Sequence, residues 1–550
     1  MFQRKDKQKR NLCIIIKGGI VVKRIFSILL CSILVLMSLP VSADEAIVFK
    51  DVPQGHWAEE SIYGLKKLNL IEGINSDTFG LGSVITKGEF ITYLEKVMNL
   101  NKNVVTNTVE GSTPLTRREM AEIVAKKLGY DEFIKNSKSL DNIFIDVKDN
   151  SKFISFVNDI GLITGNNKNE FKPDGIVTKE QAAVVLWRIH NKINTPINEL
   201  HGFYAIKSYN QIEMIKNINS VSFGWSRLEY DKSQNKVKLN TNIDGKNVFG
   251  IPKGSSEPFN IAKQNGKSTQ LMVYADDSSV LDYVLTVEEG RKEAIKEIVG
   301  KINSISLDNQ SYSLDGAVID FEGLKGEKYK LGLNAFLKEL KEELNKSNKS
   351  LYVAVHPSRK APLEYFDGYD FKFIGEVADR VILMAHDYYP TKLSEEERNR
   401  PFTVTPLTPI DEIYYSLKTI TDKNTGVKDA NKVLLQISFD AVQWKLKDGK
   451  VINEAPYHPT YEQIEKRLVE DKTVERYYAY GNPYIKYHNT EDGTDNVLWY
   501  EDSRSVSEKI KLAKMFGVNK ISLWRLGNIP NYSDEGSYLN IFDDILSLNK

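Results

Sequence analysis

Apolar and polar positions change rhythm near residue 200. From there to about 545, short apolar runs alternate with longer Lys/Glu-rich stretches whose apolar residues recur at helical spacing. The runs are Gly202–Ile206, Ser220–Trp225, Gln270–Tyr274, Ala317–Glu322, Leu351–His356, Val381–Ala385, Val433–Ser438 and Lys520–Trp524. Stretches such as Glu288–Ile302 and Leu333–Leu344 lie between them. Apolar runs joined by amphipathic crossovers predict parallel strands linked by helices. Eight such units over roughly 350 residues predict an α/β fold, a (β/α)8 barrel, with a tyrosine-rich α+β insertion at about 445–500. A doubly wound open sheet has the same alternation. No glycine-rich loop follows the first run, which argues against a nucleotide site.

Between residues 44 and 195 the pattern is repetitive and mainly helical. Phe49-Lys50-Asp51-Val52 recurs as Phe144-Ile145-Asp146-Val147, and Leu68–Gly73 recurs as Ile160–Gly165. A third element appears three times, beginning Ile85-Thr86-Lys87, Leu115-Thr116-Arg117 and Val177-Thr178-Lys179. Each threonine precedes an apolar-periodic run and reads as a helix N-cap, with Glu89 and Glu119 completing capping boxes. The middle copy has no F-x-D-V start, so it is truncated. A basic residue just after an N-cap opposes the helix dipole, so its threefold recurrence asks for a cause.

Within the fourth run, Asp315-Gly316-Ala317-Val318-Ile319-Asp320-Phe321-Glu322 carries two acids at its C-terminal end. Strand periodicity of two puts Val318, Asp320 and Glu322 on one face and the apolar Ala317, Ile319 and Phe321 on the other. Barrel chemistry sits at the C-terminal ends of strands. Those ends supply Trp225, Asp276, Asp277, His356, His386, Asp387, Tyr388, Tyr389, Asp440, Trp444 and Trp524. Acids with flat aromatic faces suit a carbohydrate; core packing is the alternative for each aromatic taken alone, and for Trp444 it explains the residue about equally well.

At 550 residues the chain exceeds one core, so more than one domain is expected. Its 74 basic and 74 acidic residues balance, which gives no electrostatic case for nucleic acid. Lys23-Arg24, the apolar run Ile25–Val41 and the small-residue site Val41-Ser42-Ala43 predict an export leader over 1–43, an uncleaved anchor being the alternative. Both cysteines, Cys13 and Cys31, fall inside it, so the remainder has no disulfide or thiolate site. No second stretch is apolar enough to span a membrane. The histidines do not fall at metal-ligand spacing, and no cofactor is implied.

The repeats over 44–195 resemble the S-layer homology domain, on the F-x-D-V starts, His56-Trp57-Ala58 and the three Thr-basic elements. That resemblance implies attachment to an anionic secondary cell-wall polymer, with Lys87, Arg117 and Lys179 as contacts. Solvated first-turn positions are the plain alternative. Residues 196–550 resemble glycoside hydrolase family 18, on D-G-x-x-x-D-x-E, Met384-Ala385-His386-Asp387-Tyr388 and Ile521–Gly527. The Trp499-Tyr500-Glu501-Asp502 stretch with Ser505 is similar to its bacterial cell-wall and spore-cortex branch.

The resemblance implies an exported, wall-anchored glycosidase cutting β-1,4 bonds at N-acetylglucosamine in peptidoglycan, or chitin. Catalysis would be substrate-assisted and retaining. Glu322 would be general acid and base, Asp320 would orient the acetamido group, and Asp387 would help hold it. His386, Tyr388, Trp225, Asp315 and the floor residue Trp524 would bind substrate. Val318 stands where many members carry a third acid, and His386 where many carry tyrosine. These departures keep open a lectin-like barrel that binds glycan without cutting it. A structural surface-layer component is a third reading.

Overall fold

In the computed structural model of the protein, the described residues are 49–99, 109–149, 151–245, 247–360, 366–399, 407–470, 473–531 and 540–548. The predicted leader at 1–43 lies outside them. The chain divides into two units, Met1–Ser83 and Val84–Lys550.

In the first unit, Asp51 of the F-x-D-V motif accepts backbone N–H groups from Phe79, Gly80 and Leu81 at 2.7–2.9 Å. The same geometry recurs in the second unit, where Asp146 accepts from Phe171 and Lys172 at 2.8 and 2.7 Å. The repeated aspartate thus ties the end of each repeat back to its start.

The three Thr-basic elements all begin in the second unit, and they meet in a closed ring. Ile85 N–H donates to Val177, Val177 to Leu115, and Leu115 to Ile85. The truncated middle copy therefore still supplies its third of the ring. Helices Lys87–Val97 and Arg117–Lys127 leave this ring through the two predicted capping boxes, and Lys179–Asn194 leaves it through a third, Thr178 with Gln181. Within the same unit, Phe133 and Phe156 pack on Tyr414 of a barrel helix, and Lys418 pairs with Asp159 at 2.8 Å.

Eight strands build the barrel: β1 (Glu199–Tyr204), β2 (Ser220–Asp231), β3 (Ser268–Ala275), β4 (Gly316–Phe321), β5 (Ser350–Val355), β6 (Arg380–Leu383), β7 (Val433–Ser438) and β8 (Lys520–Trp524). Each pairs in parallel with the next, and β1 also pairs with β8. That last pairing closes the sheet and excludes the open arrangement. All eight predicted runs are barrel strands, shifted by a few residues at their ends. Phe203, Met272, Val318, Tyr352, Ile382 and Leu434 fill the interior.

The insertion after β7 is a five-stranded antiparallel sheet, Val442 to Trp499, with helix Tyr461–Glu470. Trp444 and Trp499 are fully buried in it, so Trp444 belongs to the insertion's core and not to a sugar face. Tyr477 stacks on Tyr484, which packs on Trp499. Glu501 and Lys509, each 1 % exposed, form a 2.6 Å ion pair behind this sheet. Ser505 and Lys509 both donate to Glu501 Oε2, and Asn482 donates to Oε1. The tryptophan-to-aspartate motif and Ser505 thus pin the insertion to the barrel.

Candidate active site

β4 delivers Asp320 and Glu322 at the C-terminal mouth of the barrel. The inward parity of Val318, which lies in the interior core, carries Asp320 inward above it. Asp320 is buried, and its Oδ1 meets no donor among the described residues. A buried carboxylate oxygen without a donor costs free energy unless protonated or satisfied by a ligand. Burial accordingly pushes the Asp320 carboxyl well up, opposed by the neighbouring His386 charge. Glu322 is pushed up as well, by burial first and then by the negative charges of Asp320 and Asp387. A carboxyl that keeps its proton near neutral pH is what a general acid requires.

Around this pair the barrel supplies a ring of fixed groups. His356, at the end of β5, places Nε2 3.9 Å from Glu322 Oε2 and stacks on Phe366. Burial first, then the charges of His386 and Arg359, lower it to about 3, so it stays neutral. Tyr369 donates to the Phe321 carbonyl at 2.6 Å, directly beside Glu322. Tyr274, opposite Asp320 in the β3–β4 register, donates to Asp276 at 3.1 Å.

After β6, His386 points into the interior. Its Nδ1 lies 2.8 Å from Asp387 Oδ2 and its Nε2 2.6 Å from Gln436 Oε1. Both neighbours are acceptors, so the ring carries two N–H donors. Burial opposes that charge, but Asp387 and Gln436 outweigh it and raise His386 to about 9. Asp387 is in turn lowered by the His386 charge against the effect of burial. It sits at φ +59°, a left-handed conformation that aspartate tolerates.

Behind Gln436 the polar chain continues. Gln436 donates to Ser522 Oγ at 3.4 Å, Ser522 bonds His201 Nδ1 at 2.8 Å, and His201 Nε2 bonds Ser222 at 2.8 Å. Burial keeps His201 neutral, at about 3. The neutral ring carries one N–H, so one of its nitrogens donates to its serine and the other accepts.

Trp524 closes the barrel interior beneath the mouth, half-buried and edge-on to Phe203 at 5.1 Å. Tyr388 directs its hydroxyl away from the mouth to Ser416 at 2.8 Å, with the Arg359 guanidinium over its ring.

Tyr388 is thereby corrected as a predicted substrate contact, and two others are corrected with it. Trp225 is 1 % exposed and stacks on Phe223 at 4.1 Å, which in turn packs on Phe259 of helix Ser256–Gln264. On β2 the inward set is Ser222 and Gly224, whose added Cβ would meet Ala205 at 2.5 Å; Trp225 has the opposite parity and faces the helices. Asp315 precedes β4 at the other end of the barrel. Lys263 and Thr269 donate to it at 2.8–2.9 Å, where it fixes the start of the β3–β4 pair.

The three basic residues of the repeats are engaged within the protein. Lys87 pairs with Glu119 at 2.9 Å and Lys179 with Glu89 at 3.3 Å, so each lysine meets the capping glutamate of a neighbouring repeat. That pairing offsets the dipole cost of a basic first turn. The third capping position is the neutral Gln181, and Arg117 instead donates to the Phe171 and Thr164 carbonyls and lies over the Phe171 ring.

Sequence reasoning missed Tyr369, Gln436, His201 and Ser522. A signal existed for Gln436, a polar inward position in the apolar run Val433–Ser438, but none for Tyr369, which lies outside the predicted elements.

Residues 199–528, more than half of the chain, match the profile of glycosyl hydrolases family 18. Residues 48–91 and 144–183 match the S-layer homology domain. A cortical fragment-lytic enzyme of Bacillus anthracis is 25% identical over 234 residues, 41% of this chain and 49% of that protein. The putative sporulation-specific glycosylase YdhD of Bacillus subtilis (strain 168) is 23% identical over 220 residues, 38% of this chain and 46% of that one. The chain spans about half the length of these curated relatives. The crystal structure of the C-terminal domain of a putative chitinase from Desulfitobacterium hafniense DCB-2 shares the fold, with a TM-score of 0.50 and 19% identity over 65% of this chain and 100% of that one.

Proposed function

The chain belongs to glycosyl hydrolases family 18, and on that premise we propose that it hydrolyses β-1,4 bonds next to N-acetylglucosamine in peptidoglycan, at the bacterial cell surface. The observation that carries this reading is the raised, half-buried Glu322 standing two residues from a buried Asp320 with an unsatisfied oxygen. In the first step the acetamido oxygen of the substrate attacks the anomeric carbon. The glycosidic C–O bond breaks, and Glu322 gives its proton to the leaving oxygen. Asp320 accepts the acetamido N–H on its free oxygen and stabilises the positive charge that develops on the ring formed. In the second step Glu322, now a carboxylate, takes a proton from water. That water attacks the anomeric carbon, and the acetamido oxygen departs. The charged His386, clamped between Asp387 and Gln436, presents positive charge to the same space.

Anchoring belongs to the same proposal. The two S-layer homology segments support attachment to a cell-wall polymer, with Lys87, Arg117 and Lys179 as contacts reached by exchange of their internal partners. Peptidoglycan is favoured over chitin because such an anchor holds the barrel against the wall.

The test uses the full chain and Glu322→Gln, each given purified peptidoglycan and chitin oligosaccharides, with reducing ends and product masses as readout. The account expects fragments only from the unmodified protein. Binding without turnover by both proteins from pH 4 to 8 identifies the lectin-like barrel instead.

A further inference from the structure

An open groove of about 1060 Å3 lies on the insertion, lined by Gln443, Lys445, Tyr457, His458, Lys466 and Arg467 among others. It starts at the rim of the catalytic mouth. His458 is held there by Nδ1 on the Ala441 carbonyl at 3.0 Å, three residues beyond the end of β7. Its ring lies 5.7 Å from Tyr389, which is two residues beyond Asp387. Gln443 and Tyr457 are locked together by paired backbone hydrogen bonds of 2.8 and 3.0 Å, so this wall is rigid.

The lining is rich in donors. Lys445 is neutralised by Asp492 at 2.6 Å. Lys466 is exposed and takes part in no ion pair among the described residues, and the Arg467 guanidinium lies over the Tyr487 ring, 3.8 Å from its centre. Glu470 is the one acid in the lining. Two cations without an ion pair among the described residues thus face a groove large enough for more than one sugar.

We propose that this groove binds carboxylate groups carried by the glycan strand, as lactyl ether or peptide substituents on its sugars, while the strand itself lies in the barrel mouth. The proposal rests on the hydrolase reading above and narrows its substrate class to carboxylated glycan over neutral chitin. Lys466 and Arg467 are specificity determinants in it, and His458 joins the groove to the mouth.

The experiment measures steady-state kinetics of the full chain on a soluble N-acetylglucosaminyl-N-acetylmuramyl peptide oligomer, its carboxyl methyl ester, and chitohexaose. Lys466→Glu combined with Arg467→Gln is expected to raise KM about tenfold on the carboxylated oligomer. The same pair should leave kcat, and both constants for chitohexaose, unchanged. Lys466→Ala, at an exposed position, is expected to give about a threefold rise with an unaltered melting temperature. Equal effects on all three substrates, or none on the carboxylated one, overturn the proposal.

Affinities of the Glu322→Gln chain for the oligomer and its ester separate the two readings. If nothing is cleaved but the acid form binds about tenfold tighter than the ester, the groove stands and the hydrolase reading falls. If cleavage proceeds and acid and ester are treated alike, the groove falls and the hydrolase reading stands.

Discussion

Replacing Asp320 with asparagine isolates the electrostatic coupling on which the acid role of Glu322 depends. The two residues are next neighbours on one strand face, so their backbones stand about 6.6 Å apart at an ordinary rise per residue, a spacing taken for the charges as well. At that spacing and an effective dielectric constant of about 20, their repulsion is about 2.5 kcal/mol, or just under two pH units on Glu322. Burial, the larger cause of the Glu322 shift, stays in place. The sign follows from the charge removed. A neutral neighbour no longer disfavours the Glu322 carboxylate, so the proton is lost at lower pH. The alkaline limb of kcat/KM for Asp320→Asn should move down by about one to two units, yet remain above the ordinary carboxyl range. The rate at the optimum should fall by about 100-fold or more, because the acetamido group loses its anionic partner. The assay is release of a chromogenic aglycone from an N-acetylglucosamine oligomer between pH 4 and 10. An unmoved alkaline limb, or one that moves up, refutes the coupling.

Other outcomes follow from the same groups. Glu322→Gln should raise the melting temperature above that of the unmodified chain at pH 8, where the unfolded chain is stabilised by an ionised Glu322 that the native site disfavours, and the difference should vanish below about pH 3, where Glu322 is protonated folded and unfolded alike. His386 is raised to about 9, so its stabilising contribution is complete below the unfolded value near 6.5 and is lost as pH rises through about 9. A difference in urea stability of no more than about 3 kcal/mol between the unmodified chain and His386→Gln should therefore disappear over that window. Lys509→Met leaves Glu501 buried without its cation and should cost about 3–5 kcal/mol by calorimetry, with Glu501→Gln added to it recovering much of the loss.

Much of this was legible along the chain because barrel strands and their crossovers are local patterns. The apolar runs marked all eight strands, and parity alone put Asp320 and Glu322 on one face. Parity also held the information that Trp225 was misplaced. On β2 the small residues Ser222 and Gly224 alternate with Phe223 and Trp225, and only the small set fits the crowded interior. Asp315 belongs to the same motif as Glu322, but a strand carries its two ends to opposite mouths of the barrel. The lysines of the repeats show the remaining difficulty. Lys87–Glu119 and Lys179–Glu89 join separate repeats, so their partnership exists only once the ring has closed. Gln436, His201 and Ser522 likewise come from three different strands, and only closure of β8 onto β1 brings them into one chain of hydrogen bonds.

Substrate-assisted catalysis by Glu322 and Asp320 is tested most directly by the configuration of the first sugar released. Proton NMR of a fresh digest of N-acetylglucosamine oligomer reads the anomeric signal before mutarotation. Two displacements at one carbon predict that the β-anomer appears first and decays to the equilibrium mixture. Initial appearance of the α-anomer would mean a single displacement by water, and would contradict the roles given to both carboxyl groups.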